Sequence, residues 1–157
     1  MKMILIFAQT SKNDWFQKVL VIYEEKIGRT IPFDIKAIKS DSFSRKDWGK
    51  KVAVEDERLL KQISDQDSVL VFDKGGRSFS DSRQFSSYLV KKLELGYRRL
   101  IFVIGGAYGL GPRLRERADD LISLSGLTMN QQVATVVALE QIYRALTLWK
   151  GLPYHND

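Results

Sequence analysis

The sequence contains no cysteine, which excludes disulfides, thiolate metal ligands and a thiol nucleophile. A single histidine leaves little basis for a conventional zinc site, and no metal centre is expected. No apolar run approaches the length of a membrane span. Met1-Lys2-Met3 leads straight into a short apolar strand rather than a long signal core, so a cytoplasmic location without membrane attachment is the expectation. Two glycine signatures for phosphates are also absent: no Gly-x-Gly-x-x-Gly spacing occurs, and no glycine turn is followed by Gly-Lys-Ser/Thr. Internal repeats, low-complexity segments and linkers are lacking, which predicts one domain over residues 1–157.

What is present is ordinary for a globular chain: 44% apolar and 28% charged residues in 157, enough for one substantial core. The formal net charge of +6 favours an anionic partner, with nucleic acid first among candidates.

The organising stretch is Leu100-Ile101-Phe102-Val103-Ile104-Gly105-Gly106-Ala107-Tyr108-Gly109-Leu110-Gly111. Its apolar half reads as a strand buried on both faces. Its glycines permit positive φ and close backbone approach, and Pro112 is placed for the first turn of a helix over 113–119. A glycine turn at the carboxyl end of a buried strand is where open α/β sheets hold ligands. A tight strand-to-helix connection without a ligand explains the motif equally well.

Elsewhere, strands are predicted over 3–8, 32–39 and 68–72, with a short apolar segment at 121–124. A helix capped by Asn13 or Asp14 should carry Trp15, Val19, Ile22, Tyr23 and Ile27 on its inner face and end at Gly28. Residues 40–51, the most polar segment, read as a solvated loop or, with Phe43 and Trp48 among the basic residues, as an RNA contact. Further helices are predicted over 52–63, after a Ser80 or Asp81 cap to Gly96, and over 131–149. Asp73-Lys74-Gly75-Gly76-Arg77 reads as a second glycine turn. This alternation predicts an α/β fold with a mainly parallel sheet flanked by helices.

Phe102 to Gly109, then Leu124-Ser125-x-x-Thr128, Leu139-Glu140-Gln141-Ile142-Tyr143-Arg144-Ala145 and Pro153-Tyr154-His155 resemble the RlmH type of SPOUT methyltransferase. Phe72-Asp73-x-x-Gly76 is similar to that family's Leu-Asp-x-x-Gly, and the likeness extends along the full chain. The resemblance implies a C-terminal trefoil knot, a homodimer, bound S-adenosylmethionine, and methylation of N3 of a pseudouridine in large-subunit ribosomal RNA. It implies cofactor contacts from Phe72, from Gly105, Gly106 and Gly109, and from the loop of Leu124, Ser125, Gly126, Leu127, Thr128 and Met129. In two places the chain departs from the family: Gln131 stands for a histidine and Thr135 for an arginine, while Gln9-Thr10-Ser11-Lys12 replaces a Gly-Lys turn.

Pseudouridine N3 is a poor nucleophile until its proton leaves or its anion is stabilised. By the resemblance, His155 serves as base or orients the acceptor, Arg144 binds phosphate or stabilises the developing oxyanion, and Tyr154 stacks on the flipped base. Each has a plainer alternative: a frayed tail for His155, an i,i+4 ion pair with Glu140 for Arg144, and interface packing for Tyr154. Arg113, Arg115 and Arg117, with Lys91, Lys92, Arg98 and Arg99, suit either an RNA backbone or a solvated face. Three functions are therefore weighed: an rRNA methyltransferase, a degenerate relative acting as an RNA- or ribosome-binding module, and a basic α/β protein with another nucleotide-like ligand.

Overall fold

The computed structural model describes residues 1–9, 11–40, 45–106 and 109–156. In chain order the elements are β1 (Lys2–Gln9), α1 (Asp14–Gly28), β2 (Phe33–Lys39), a 3-10 turn (Arg45–Asp47) and α2 (Trp48–Leu60). There follow β3 (Ser68–Arg77), α3 (Ser82–Glu94), β4 (Arg99–Ile104), α4 (Pro112–Arg117), β5 (Asp120–Ile122) and α5 (Gln131–Lys150). The five strands form one sheet in the order β2-β1-β4-β3-β5, and every neighbouring pair is parallel. Phe102 of β4 lies opposite Leu5 on one side and Leu70 on the other.

The two-residue period of a strand divides the sheet's side chains between two faces. Met3, Leu5 and Phe7 share one face with Leu70, Leu100 and Phe102, and are covered by Phe16 of α1, Leu89 of α3 and Leu139 and Ile142 of α5. Ile4, Ile6, Val69, Val71, Ile101 and Val103 occupy the other face under Leu59 of α2 and Leu114 of α4. Each such side chain contributes about 1.5–3 kcal/mol by leaving water. This double coverage explains why β1, β3 and β4 read as continuous apolar runs. Among the described residues no helix is long and apolar enough to cross a membrane.

Several expectations are corrected. On α1 the inner face is Phe16, Leu20 and Ile27, while Trp15 and Ile22 are 50% and 49% exposed. The sequence supports two overlapping apolar stripes, and tertiary packing selects one. Asn13 occupies the cap position without capping; its side chain instead bonds Gln132 at 2.9 Å. Phe43 lies outside the described residues. From Arg45 onward the polar segment is not a loop: α2 begins at Trp48, because Lys51 is buried beside Glu55, 3.9 Å away. Nor do the glycines after Phe72 turn the chain. β3 continues to Arg77 through a bulge, and a Cβ on Gly76 would stand 2.6 Å from the backbone of Leu121 and Ile122. Glycine there lets β5 approach.

Much of the basic surface is used internally. Arg99 grips Asp67 at 2.8 and 2.5 Å, Lys92 meets Asp120 at 2.6 Å, and Arg117 donates to the carbonyls of Ser64 and Asp67 at 2.8 and 2.9 Å. Burial pushes the Asp67 and Asp120 carboxyls up. Arg99 and the Ser64 amide for the first, and Lys92 and the Tyr88 hydroxyl for the second, outweigh it, so both end below the usual value of 3.8. Their stabilisation is therefore complete above 3.8 and is lost as pH falls from there through the lowered folded values. Thermal unfolding followed by circular dichroism should show Tm dropping across that acid range. Asp67→Asn should flatten the drop while costing about 1–3 kcal/mol at neutral pH.

Candidate functional site: a cofactor cleft and a tail cluster

The parallel arrangement brings the carboxyl ends of β3 and β4 side by side, facing the loop 123–130 and the start of α5. Between them lies a cleft of about 340 Å³. Phe72, Gly105, Gly106, Gly109, Leu124, Ser125, Leu127, Thr128 and Met129 all line it. Gly126 is outside the wall: the Ser125 hydroxyl accepts from Leu127 N at 3.0 Å, and this tight turn leaves Gly126 exposed to solvent. Phe72 is 9% exposed and stacks on Phe102 with centroids 6.0 Å apart.

The glycine turn rests on two acids of α2. Glu55 and Asp56 are 4% and 3% exposed. A Cβ on Gly106 would collide with the Glu55 carboxylate, and one on Gly111 with that of Asp56. Asp56 accepts from Gly111 N at 3.0 Å and Leu114 N at 3.3 Å, capping α4 from another element because Gly111, at the cap position, has no side chain to do so. Glu55 also takes the Ser40 hydroxyl. Gly109 carries a φ of +85° and donates to Gly106 O at 3.1 Å, closing the turn; Ala107 and Tyr108 lie outside the described residues. The sequence offers no signal for this support, since Glu55-Asp56-Glu57 reads like any solvated helix face.

The wall also includes Asp73 and Lys74 of the second glycine segment, Ile104 and Leu110 of the organising stretch, and Asn130 and Ala134, none of them among the expected cofactor contacts. Asp73 is held by both guanidinium nitrogens of Arg115 at 3.1 and 3.3 Å. Gln131 donates its amide to the carbonyls of Ala8 and Gly105, tying α5 to the ends of β1 and β4. Thr135, fully buried, donates to Gln131 O at 2.8 Å.

The three residues expected to act on the acceptor do come together, around Glu140. Arg144 Nη2 meets Glu140 Oε1 at 2.6 Å, the Tyr154 hydroxyl donates to the same oxygen at 3.1 Å, and Arg144 Nη1 lies 3.3 Å from His155 Nδ1. A guanidinium has no acceptor, so Nδ1 accepts and the ring proton sits on Nε2. Arg144 also lies over the Tyr154 ring at 4.8 Å, and Tyr154 packs edge-on against Tyr143. Burial and then Glu140 push the Tyr154 hydroxyl above its usual value, so it is a donor at neutral pH; Glu140 holds Arg144 charged. The tail is folded rather than frayed. Gly151 takes the left-handed conformation at φ +66°, and Leu152 N returns to Thr147 O at 2.9 Å, which turns 152–156 back along α5.

The structure does not bring this cluster to the cleft. Arg144 follows Gln131 by thirteen residues of one helix, a separation of about 20 Å at 1.5 Å per residue.

An open parallel sheet with a glycine-walled cleft at its carboxyl edge is an α/β domain of the kind that holds small-molecule ligands there. Residues 1–155 match the family profile described as "Predicted SPOUT methyltransferase". The ribosomal RNA large subunit methyltransferase H of Bdellovibrio bacteriovorus is 43% identical over 156 residues, covering 99% of each chain. The protein of that name from Christiangramia forsetii is 34% identical, over 98% of this chain and 97% of its own. A crystal structure of a probable rRNA-methyltransferase from Porphyromonas gingivalis matches the fold with a TM-score of 0.53 at 13% identity, over 94% of this chain and 69% of that one. The chain belongs to the SPOUT methyltransferase family.

The acid-supported turn makes a direct prediction. Gly111→Ala should destabilise the protein by about 1–3 kcal/mol in urea unfolding, because neither α4 nor the buried Asp56 has room to yield. Gly126→Ala, with open space around it, should stay within about 0.5 kcal/mol of wild type.

Proposed function

We propose that this protein transfers a methyl group from S-adenosylmethionine to large-subunit ribosomal RNA, at N3 of a pseudouridine. The observation that carries this reading is that the glycine turn and the 124–129 loop, two segments far apart in sequence, form one cleft in a chain that matches a methyltransferase family over residues 1–155. The net charge of +6 suits an RNA partner.

The cleft fits an adenosine-bearing cofactor. Its wall is apolar at Phe72, Ile104 and Leu124, and glycines 105, 106 and 109 place no side chain between their backbone and a ligand. The bound cofactor supplies an already activated methyl group, so the chain's task is alignment and exclusion of water. Within the tail cluster, Glu140 is a positioning residue: it fixes both the Arg144 guanidinium and the Tyr154 hydroxyl. Arg144 then supplies fixed positive charge where the N3 anion develops, Tyr154 offers a ring face for the base, and His155 presents Nε2–H as a hydrogen-bond donor.

Because cleft and cluster stand about 20 Å apart along α5, a second copy is needed to bring one tail to the other's cleft. This supports the homodimer. Trp15 and Ile22 of α1 and Val133 of α5, on two helices packed together, expose apolar surface suited to such an interface. The reading also carries a C-terminal trefoil knot and a cytoplasmic location.

One observation favours the RNA-binding module instead. At the positions where the family has histidine and arginine, Gln131 and Thr135 are committed to internal hydrogen bonds. Transfer of labelled methyl to ribosomes lacking the modification separates the readings. Incorporation at one pseudouridine, reduced about 100-fold or more by Arg144→Ala and substantially by His155→Ala, is the expected result. Cofactor binding without any incorporation would establish the module.

A further inference from the structure

Two charged side chains stand in the wall of the cleft among the described residues, Asp73 and Lys74. They are not equivalent. Asp73 is neutralised by the bidentate Arg115 contact, and its Oδ2 also accepts from Gly75 N at 3.2 Å. Lys74 is exposed, and its ammonium has the Thr128 hydroxyl at 3.4 Å as its hydrogen-bond partner; no carboxylate of the described residues lies within ion-pair distance. A hydroxyl brings no countercharge, so the cleft holds one uncompensated positive charge.

Its position follows from the fold. Lys74 projects from the part of β3 that continues past Phe72, and Thr128 belongs to the facing loop, so the contact between them spans the mouth of the cleft. Behind it the wall is apolar, at Phe72, Ile104, Leu110, Leu124 and Met129.

We propose that Lys74 binds the α-carboxylate of the methyl donor, fixing the amino-acid end of that cofactor at the mouth of the cleft. The proposal rests on the methyl-donor reading above. The donor carries two positive groups, a sulfonium and an α-ammonium, and one negative group, the carboxylate. An ammonium without a countercharge repels the first two and attracts the third. The neutral adenosine is left to the apolar interior. Thr128, already hydrogen-bonded to Lys74, positions the ammonium before the cofactor arrives. RNA phosphate is the other source of anionic oxygen at such a site, and the experiment separates it.

The test compares two probes by calorimetry, S-adenosylhomocysteine, which has the carboxylate, and 5′-methylthioadenosine, which lacks the whole amino-acid end, and follows binding of large-subunit ribosomal RNA in parallel. Lys74→Met keeps the unbranched stem and removes the charge; Lys74→Arg keeps the charge. Lys74→Met should weaken S-adenosylhomocysteine about fivefold at low salt, as expected for a solvent-exposed ion pair, and leave 5′-methylthioadenosine unchanged. Lys74→Arg should restore most of the loss, and added salt should erode the wild-type advantage. Equal effects on both probes, no effect on either, or a loss seen only in RNA binding would overturn the assignment while leaving the methyl-donor reading in place. Failure of the wild type to bind either probe would overturn that reading and the assignment together.

Discussion

Everything that follows in this structure depends on β4 lying parallel between β1 and β3, buried on both faces. Parallel pairing sends all carboxyl ends to one edge of the sheet, and the helices that cover the faces leave that edge open. The cleft is a consequence of that geometry. What the local sequence decides is how the edge is finished: glycine at 105, 106 and 109 keeps it accessible, and the Gln131 amide ties together the carbonyls of Ala8 and Gly105 beside it. A neutral amide suits this role, since it donates to two carbonyls without carrying a charge into a half-buried site.

Part of the charge in this molecule is structural. Asp67, Asp73, Asp120 and Glu140 each hold a basic side chain that composition alone would count toward RNA binding. The Arg144–Glu140 contact shows that the plain and the functional readings of a residue are not exclusive. An i,i+4 pair on an exposed helix contributes only about 0.3–0.5 kcal/mol. Here the same pair also accepts Tyr154 and lies beside His155, so it sets the orientation of the tail as well as joining one turn of α5 to the next.

The sequence made the α/β class and the sheet's parallel sense legible, because buried parallel strands are apolar without interruption and helices show their caps. Asp81 caps α3 by accepting from Gln84 N, and Gly151 ends α5 in the left-handed conformation. The wall of the cleft was legible through family likeness at the glycine turn and the 124–129 loop. What was not legible depends on long-range contacts. Phe16 rather than Trp15 faces the core because α5 and the sheet meet α1 on that side. Glu55 and Asp56 are buried because a glycine turn fifty residues later sits on them. Lys74 follows a buried strand at what local pattern reads as a turn, and only the bulged continuation of β3 carries it to the mouth of the cleft.

Asp56 and Gly111 share one volume: the carboxylate fills the space that a side chain at 111 would occupy, and supplies the cap that such a side chain would have supplied. The two positions therefore behave as one unit. A side chain at 111 and a shorter residue at 56 each carry a cost when introduced singly, the first by crowding the carboxylate and the second by leaving α4 uncapped above a void, and each change relieves part of the cost of the other. The coupling is set by the shape of a contact that neither residue reveals alone.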